Sequence, residues 1–313
     1  MDWMKQEAPS LEGVQQVVSE CLRSSDFTVE RVLSGVSTYV YRVHSAGRVL
    51  YLRVLPEREL SFGVEVHLHQ LLRRRDVQVP EVIHFEHHNE ILGMSIMLVT
   101  EIPGIDASSC ASFDRYKNLL KEAGHQIARI HQVDVDGFGW IVRGDASLEM
   151  TLRAEKSNLY DVIHAFLDED LSILAGHVIS LEEASRIRRI LGDGTDLMTR
   201  HSSKLIHGDF DDSHIFQQDG RFTGIIDFGE IQGGSPLYDL GHFKLHDGQR
   251  YQGFDALAAG YHEERMLTND DHSEIDLWAL WIGIRRLGMM YKRPWGGYHE
   301  HLSRIVKQLL AQM

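Results

Sequence analysis

Residues 204–234 read KLIHGDFDDSHIFQQDGRFTGIIDFGEIQGG. A short apolar run, Leu205 and Ile206, leads into a polar loop that opens His207-Gly208-Asp209 and reaches His214. Asp219-Gly220 marks a hairpin turn, and the apolar strand after it runs out at Asp227. Ionisable groups at the ends of buried strands are costly unless they are paired or used. One such aspartate is unremarkable. Two, joined by a loop and a hairpin and accompanied by two histidines, point to chemistry rather than to solubility.

Phosphoryl transfer asks for this pattern. One carboxylate must orient the attacking hydroxyl and accept its proton, a second must hold a divalent cation against phosphates, and a third ligand on the intervening loop completes the metal site. In protein kinases the loop Asp is followed five residues later by Asn, and the metal-binding Asp begins an Asp-Phe-Gly turn. Here His214 stands five residues after Asp209, and Asp227-Phe228-Gly229 is a literal Asp-Phe-Gly.

Upstream, Val40–Val43 and Val49–Val54 are rich in β-branched and aromatic residues and flank Ser45-Ala46-Gly47, which predicts a hairpin. Val64, Leu68, Leu71 and Leu72 lie at helical spacing within a predicted helix from about Glu59 to Arg74. A strand at 82–85, a turn at 87–90 and a strand from Met94 to Glu101 form a second predicted hairpin, and Pro103-Gly104 breaks the chain. The remainder reads as mainly helical: Phe113–Gln132, Leu159–Leu174, Leu181–Leu191, Glu274–Met290 and Tyr298–Met313. The expected division is therefore residues 1–102 and 103–313.

The 313 residues are 43% hydrophobic and 25% charged, an ordinary globular composition, and the net charge is −14. An acidic chain with no basic or aromatic stripe does not suit nucleic acid. Two cysteines, Cys21 and Cys110, exclude a disulfide scaffold and a cysteine-rich zinc site, and they suit a reducing cytosol. The N-terminus has no signal-peptide pattern, and apolar runs such as Ile91–Val99 are too short to span a bilayer. A cytoplasmic protein, monomeric or dimeric and without a membrane partner, is expected.

The loop and strand residues resemble the aminoglycoside phosphotransferase family, the antibiotic and small-molecule kinases of the protein-kinase-like superfamily. The match runs His207, Gly208, Asp209, His214, Ile226, Asp227 and Phe228. It continues into Gly234-Ser235-Pro236-Leu237-Tyr238-Asp239-Leu240 and reaches back to Ile130-His131 and Gly137-Phe138-Gly139. The family usually carries Asn where this chain has His214, although some aminoglycoside and macrolide kinases share the histidine. A neutral imidazole ligates Mg²⁺, but oxygen suits that hard ion better.

The resemblance implies an α+β, bilobal protein-kinase-like fold with an antiparallel-sheet N-lobe and a mainly helical C-lobe. It implies that Asp209 is the catalytic residue, that His214 and Asp227 hold Mg²⁺, and that His207 and Asp239 order the loop. Ser34, Gly35, Ser37 and Thr38 resemble the nucleotide loop, Arg53 stands where the family has a phosphate-gripping cation, and Glu65 stands at its pairing acid. Thr100 and Ile102 lie at the inter-lobe hinge, where main-chain groups bond the purine, so ATP and GTP are not told apart. Asp211 and Asp212 are possible contacts to a cationic acceptor.

The acceptor itself stays open between aminoglycosides, macrolides and metabolites such as choline, homoserine or fructosamine. Trp140, Tyr160, Trp278, Trp281, Tyr291 and Trp295 are candidates to line an apolar pocket, though Trp278 and Trp281, at helical spacing, suit a core. Two rivals remain. A His/Asp metal-dependent hydrolase leaves Arg53 and the 34–38 loop unexplained, and a non-catalytic nucleotide-binding scaffold is at odds with an intact Asp209 and Asp227.

Overall fold

Two of the described residues with left-handed backbone, Ala46 (φ 49°) and Gly47 (φ 72°), close the first hairpin. Positive φ at both central positions is the turn whose twist matches that of the flanking strands. The computed structural model describes residues 6–33, 38–57, 59–143, 151–248 and 251–313. The chain divides into two units, one of 1–103, 142–151 and 223–229, the other of 104–141, 152–222 and 230–313.

In the first unit, helix α1 (Leu11–Leu22) precedes strands β1 (Phe27–Val32), β2 (Tyr39–Ser45) and β3 (Arg48–Val54). Helix α2 (Gly63–Arg73) and strands β4 (Val82–Asn89) and β5 (Met94–Thr100) follow. The five strands form one antiparallel sheet in the order β1-β2-β3-β5-β4. Strand period decides what each face carries. Leu50, Leu52, Val54, Ile96 and Leu98 bury Val14, Val17 and Val18 of α1. The intervening residues Tyr51, Met97 and Val99 pack with Phe62 and Val66 at α2. Each fully buried aliphatic side chain contributes about 1.5–3 kcal/mol. The same alternation turns Arg53 toward α2.

Two expectations shift here. Helix α2 begins at Gly63 rather than near Glu59. The second hairpin turns at 90–93 rather than 87–90, because Asn89 caps it: Leu92 N–H donates to Asn89 Oδ1 (3.0 Å) and Gly93 N–H to its carbonyl (2.8 Å). Gly93 supplies the positive φ.

The second unit begins with β6 (Ile105–Asp106), α3 (Phe113–Ile130), β7 (Phe138–Ile141), β8 (Ala154–Lys156), α4 (Leu159–His164), α5 (Leu167–Leu174), α6 (Leu181–Asp193) and α7 (Thr195–Met198). Then come β9 (Lys204–Ile206), β10 (Ile215–Gln218), β11 (Arg221–Ile225, whose last residues enter the first unit) and β12 (Gln232–Gly234). Helices α8 (Tyr238–His246), α9 (Phe254–Glu264), α10 (Asn269–Met290) and α11 (Gly297–Gln312) complete it. Strands β8-β7-β12-β9 form a four-stranded sheet, and β10 pairs antiparallel with β6.

The helix expected over 159–174 is two helices. It breaks at Phe166 (φ −130°), whose ring lies 4.1 Å from the guanidinium of Arg285, while Arg285 pairs with Asp170 at 2.9 Å. Tertiary pairing overrides local helix propensity there. Trp278 and Trp281 are core residues, as their spacing suggests, whereas Trp140, Tyr160 and Trp295 are exposed. Among the described residues no helix is long and apolar enough to cross a membrane.

Candidate active site

In the first unit, Arg53 on β3 forms an ion pair with Glu65 on α2. Glu65 is only 2% exposed and its Oε2 has no partner among the described residues. The Phe62 ring lies 5.2 Å from the Arg53 guanidinium. A buried carboxylate is tolerated only when paired. Thr38 lies at the bend entering β2, and Ser34, Gly35 and Ser37 lie outside the described residues. Thr100 ends β5, its Oγ1 accepting from Glu81 N–H (2.9 Å). The Ile102 amide beyond it has no hydrogen-bond partner among the described residues.

Asp227 belongs to the same unit. It is exposed and holds a left-handed backbone (φ 62°), a conformation that favours Gly or Asn. Its neighbours fix it there. Ile225 N–H donates to the Gln78 carbonyl (2.9 Å), the Phe228 ring meets His69 edge-on at 5.3 Å, and Arg143 donates to the carbonyls of Phe228 and Gly229 (3.2 and 2.6 Å). His69 stands one helical turn after Glu65 on α2.

In the second unit, β9 delivers His207, Gly208 and Asp209. Gly208 has φ 85°, and a Cβ there would stand 2.0 Å from the Glu230 carbonyl oxygen, so only glycine fits. Asp239, wholly buried on α8, braces the loop: His207 N–H donates to its Oδ2 (2.7 Å), Gly208 N–H to its Oδ1 (2.9 Å), and His131 Nε2 lies 2.9 Å from Oδ2. Burial alone would raise the Asp239 pKa. The bond and charge of His131, then His207, outweigh it and hold the carboxyl below its ordinary value.

Asp209 has its carboxylate at the rim of the core, with 29% of its side chain exposed. Arg286 Nη2 donates to Oδ1 (2.5 Å), and His242 Nε2 lies 3.2 Å from the same oxygen. Burial raises the Asp209 pKa, but the hydrogen bond and charge of His242, together with Arg286 and His214, prevail and hold it well below the carboxylate range. His214 Nδ1 donates to the Asp209 carbonyl (2.7 Å), since a carbonyl can only accept. In the neutral ring this leaves the lone pair on Nε2, the state a metal ligand needs.

Asp211 accepts from Ser213 N–H and Oγ–H. Asp212 accepts from Tyr116 O–H (3.3 Å); burial and the nearby Asp211 push its pKa up to about 6. Arg286 and His242 are the two residues at Asp209 that sequence reasoning missed. Arg285-Arg286 interrupts the otherwise apolar second half of α10, and that interruption was the available signal.

Two units, an antiparallel five-stranded sheet with its helices and a mainly helical body carrying the His-Gly-Asp loop, make up an α+β bilobal fold of the protein-kinase-like class. The chain belongs to the phosphotransferase enzyme family, whose model matches residues 28–273. It is 25% identical over 206 residues to an aminoglycoside 3'-phosphotransferase of Enterococcus faecalis, covering 64% of this chain and 72% of that one. It shares the fold of a thermostable mutant of aminoglycoside phosphotransferase APH(4)-Ia, in ternary complex with ADP and hygromycin B (TM-score 0.69, 16% identity, covering 96% of this chain and 98% of that chain). A fructosamine-3-kinase candidate from Thermobifida fusca has the same fold (TM-score 0.65, 17% identity, covering 97% and 100%).

Proposed function

We propose that the protein transfers the γ-phosphoryl group of ATP or GTP to a hydroxyl of a small antibiotic-like acceptor, an aminoglycoside or a macrolide. The observation that carries this reading is Asp209: an ionised carboxylate, held by one oxygen, on a loop braced by a buried acid. The acceptor oxygen forms a bond to the γ-phosphorus as the bond from that phosphorus to the β–γ bridging oxygen breaks. The nucleoside diphosphate leaves, and the acceptor proton passes to Asp209. A carboxylate with so low a pKa is a weak base, so it orients the hydroxyl first and takes the proton late.

Residues 1–102 serve the nucleotide in this reading. Ser34, Gly35, Ser37 and Thr38 cover the phosphates, Arg53 grips them and Glu65 aims Arg53. Main-chain groups of Thr100 and Ile102 meet the purine, and the Ile102 amide, which has no hydrogen-bond partner among the described residues, suits that role. His214 and Asp227 are the residues we assign to Mg²⁺, and the His214 tautomer and the exposed Asp227 carboxylate fit that ion. Held by these residues, Mg²⁺ would supply neutralising charge for the transferred group. Residues 103–313 serve the acceptor, and Asp211 and Asp212 suit a cationic one.

The likeness to the fructosamine-3-kinase candidate favours one second reading, a metabolite kinase with the same catalytic residues. Asp209→Ala should abolish phosphoryl transfer while nucleotide still binds. A nucleotide-consumption screen against aminoglycosides, macrolides and small amino alcohols identifies the acceptor, and wild-type turnover by Asp209→Ala would overturn the assignment. Tightly bound zinc in the purified protein would point to the hydrolase instead.

A further inference from the structure

Helix α10 is a core helix, yet it carries two adjacent arginines on its second half. Arg285 is accounted for by Asp170 on α5, which it meets at 2.9 and 3.0 Å. Arg286, the next residue, forms its one ion pair among the described residues with Asp209: its Nη2 lies 2.5 Å from Oδ1 and 3.2 Å from His242 Nε2. His242 is fully buried on α8, one turn after the brace residue Asp239, and its Nδ1 donates to the carbonyl of Phe210, the residue after Asp209. One Nη2 carries two hydrogens, enough for Oδ1 and for the Nε2 lone pair of a neutral His242. If His242 is protonated, it donates to Oδ1 itself. In both protonation states the oxygen held is Oδ1, and Oδ2 has no hydrogen bond or ion pair among the described residues.

We propose that Arg286 and His242 are positioning residues that clamp Oδ1 of Asp209, so that Oδ2 alone is presented to the acceptor hydroxyl. The inference rests on the reading of Asp209 as the catalytic residue. An unclamped carboxylate rotates about its Cβ–Cγ bond and shares the acceptor between two oxygens in several directions. A clamp on one oxygen fixes the lone pair that meets the hydroxyl, and misplacement by about 1 Å costs on the order of 10²-fold in rate. Arg286 thus acts through Asp209, with no contact of its own to the reacting atoms. The rigidity comes from the helix, because Asp170 and Phe166 anchor Arg285, the preceding residue of α10.

The test uses the full chain with hygromycin B and kanamycin as probe acceptors, comparing wild type, Arg286→Met, Arg286→Lys, His242→Gln, Asp209→Asn and the Asp209→Asn/Arg286→Met double variant. Arg286→Met should lower kcat by about 10–100-fold with the KM for nucleotide unchanged. Arg286→Lys and added guanidinium should each restore part of the loss. The double variant should be no slower than Asp209→Asn alone, because the two groups act as one unit. A merely structural role would give multiplicative losses and no guanidinium rescue, and that result overturns the clamp. A fully active Asp209→Asn overturns the catalytic reading instead. If neither probe is phosphorylated, melting decides. Each single variant should melt below wild type, and the double should lose less than the two singles combined; simple additivity refutes the pairing.

Discussion

Each unit holds one arginine–carboxylate pair at the place where chemistry is expected, and the two pairs are built in opposite senses. In Arg53–Glu65 the acid is the buried partner, 2% exposed, and the cation the more accessible, at 15%. In Asp209–Arg286 both are partly exposed, at 29% and 23%, and the acid is the member assigned to chemistry. The first pair keeps a cation in place by sinking its counter-charge into the core. The second keeps a carboxylate ionised and aimed by setting a cation beside it at the rim. The supporting partner is the less exposed member of each pair, by a wide margin at Glu65 and a narrow one at Arg286, while the working partner keeps its solvent-facing side.

The largest effect expected from this contrast is on stability. Arg53→Met strands Glu65 as an uncompensated buried charge and should cost about 3–5 kcal/mol. Arg286→Met leaves Asp209 able to reach water and should cost only about 1–2 kcal/mol. Calorimetry on the two variants measures the gap, and equal losses would break the comparison.

A mid-sized effect belongs to Asp239, which supports through hydrogen bonds rather than through an arginine. Its pKa is depressed in the folded state, so its contribution is complete above its unfolded value of about 4 and fades as pH falls through the folded value below that. Asp239→Asn should therefore be less stable than wild type at pH 7, with the gap closing below about pH 4. Denaturant titrations at several pH values read this directly, and a gap that widens in acid would contradict it. The smallest effect is expected at Lys204–Asp134, a 2.5 Å pair whose aspartate is 83% exposed. Asp134→Ala should change stability by less than about 0.5 kcal/mol.

Much of the fold was legible in the sequence because period and punctuation agree over the β2–β3 hairpin, α3, α6 and the 204–227 segment. Helices α8 and α9 were not read. Eight of the nine residues of α8 are buried, so no polar stripe marks a 3.6-residue period. Helix α1 and strand β1 also went unread. The 159–174 break depends on Arg285, distant in sequence, and local propensity carries no trace of it. At the site, Asp209, His214 and Asp227 stood out through spacing and strand ends, whereas Arg53 and Glu65 were singled out only through the resemblance that the downstream loop carries. Arg286 and His242 act on Asp209 from helices 77 and 33 residues further along the chain, and only folding brings them there.

Asp227 keeps a left-handed backbone that costs a non-glycine residue of order 1–3 kcal/mol. Glycine would relieve that cost and remove the carboxylate in the same substitution. Stability and acidity are therefore in direct conflict at this one position. A laboratory selection for heat resistance alone, run without a requirement for turnover, would be drawn to codon 227 early and would return a sturdier protein without its Asp-Phe-Gly acid.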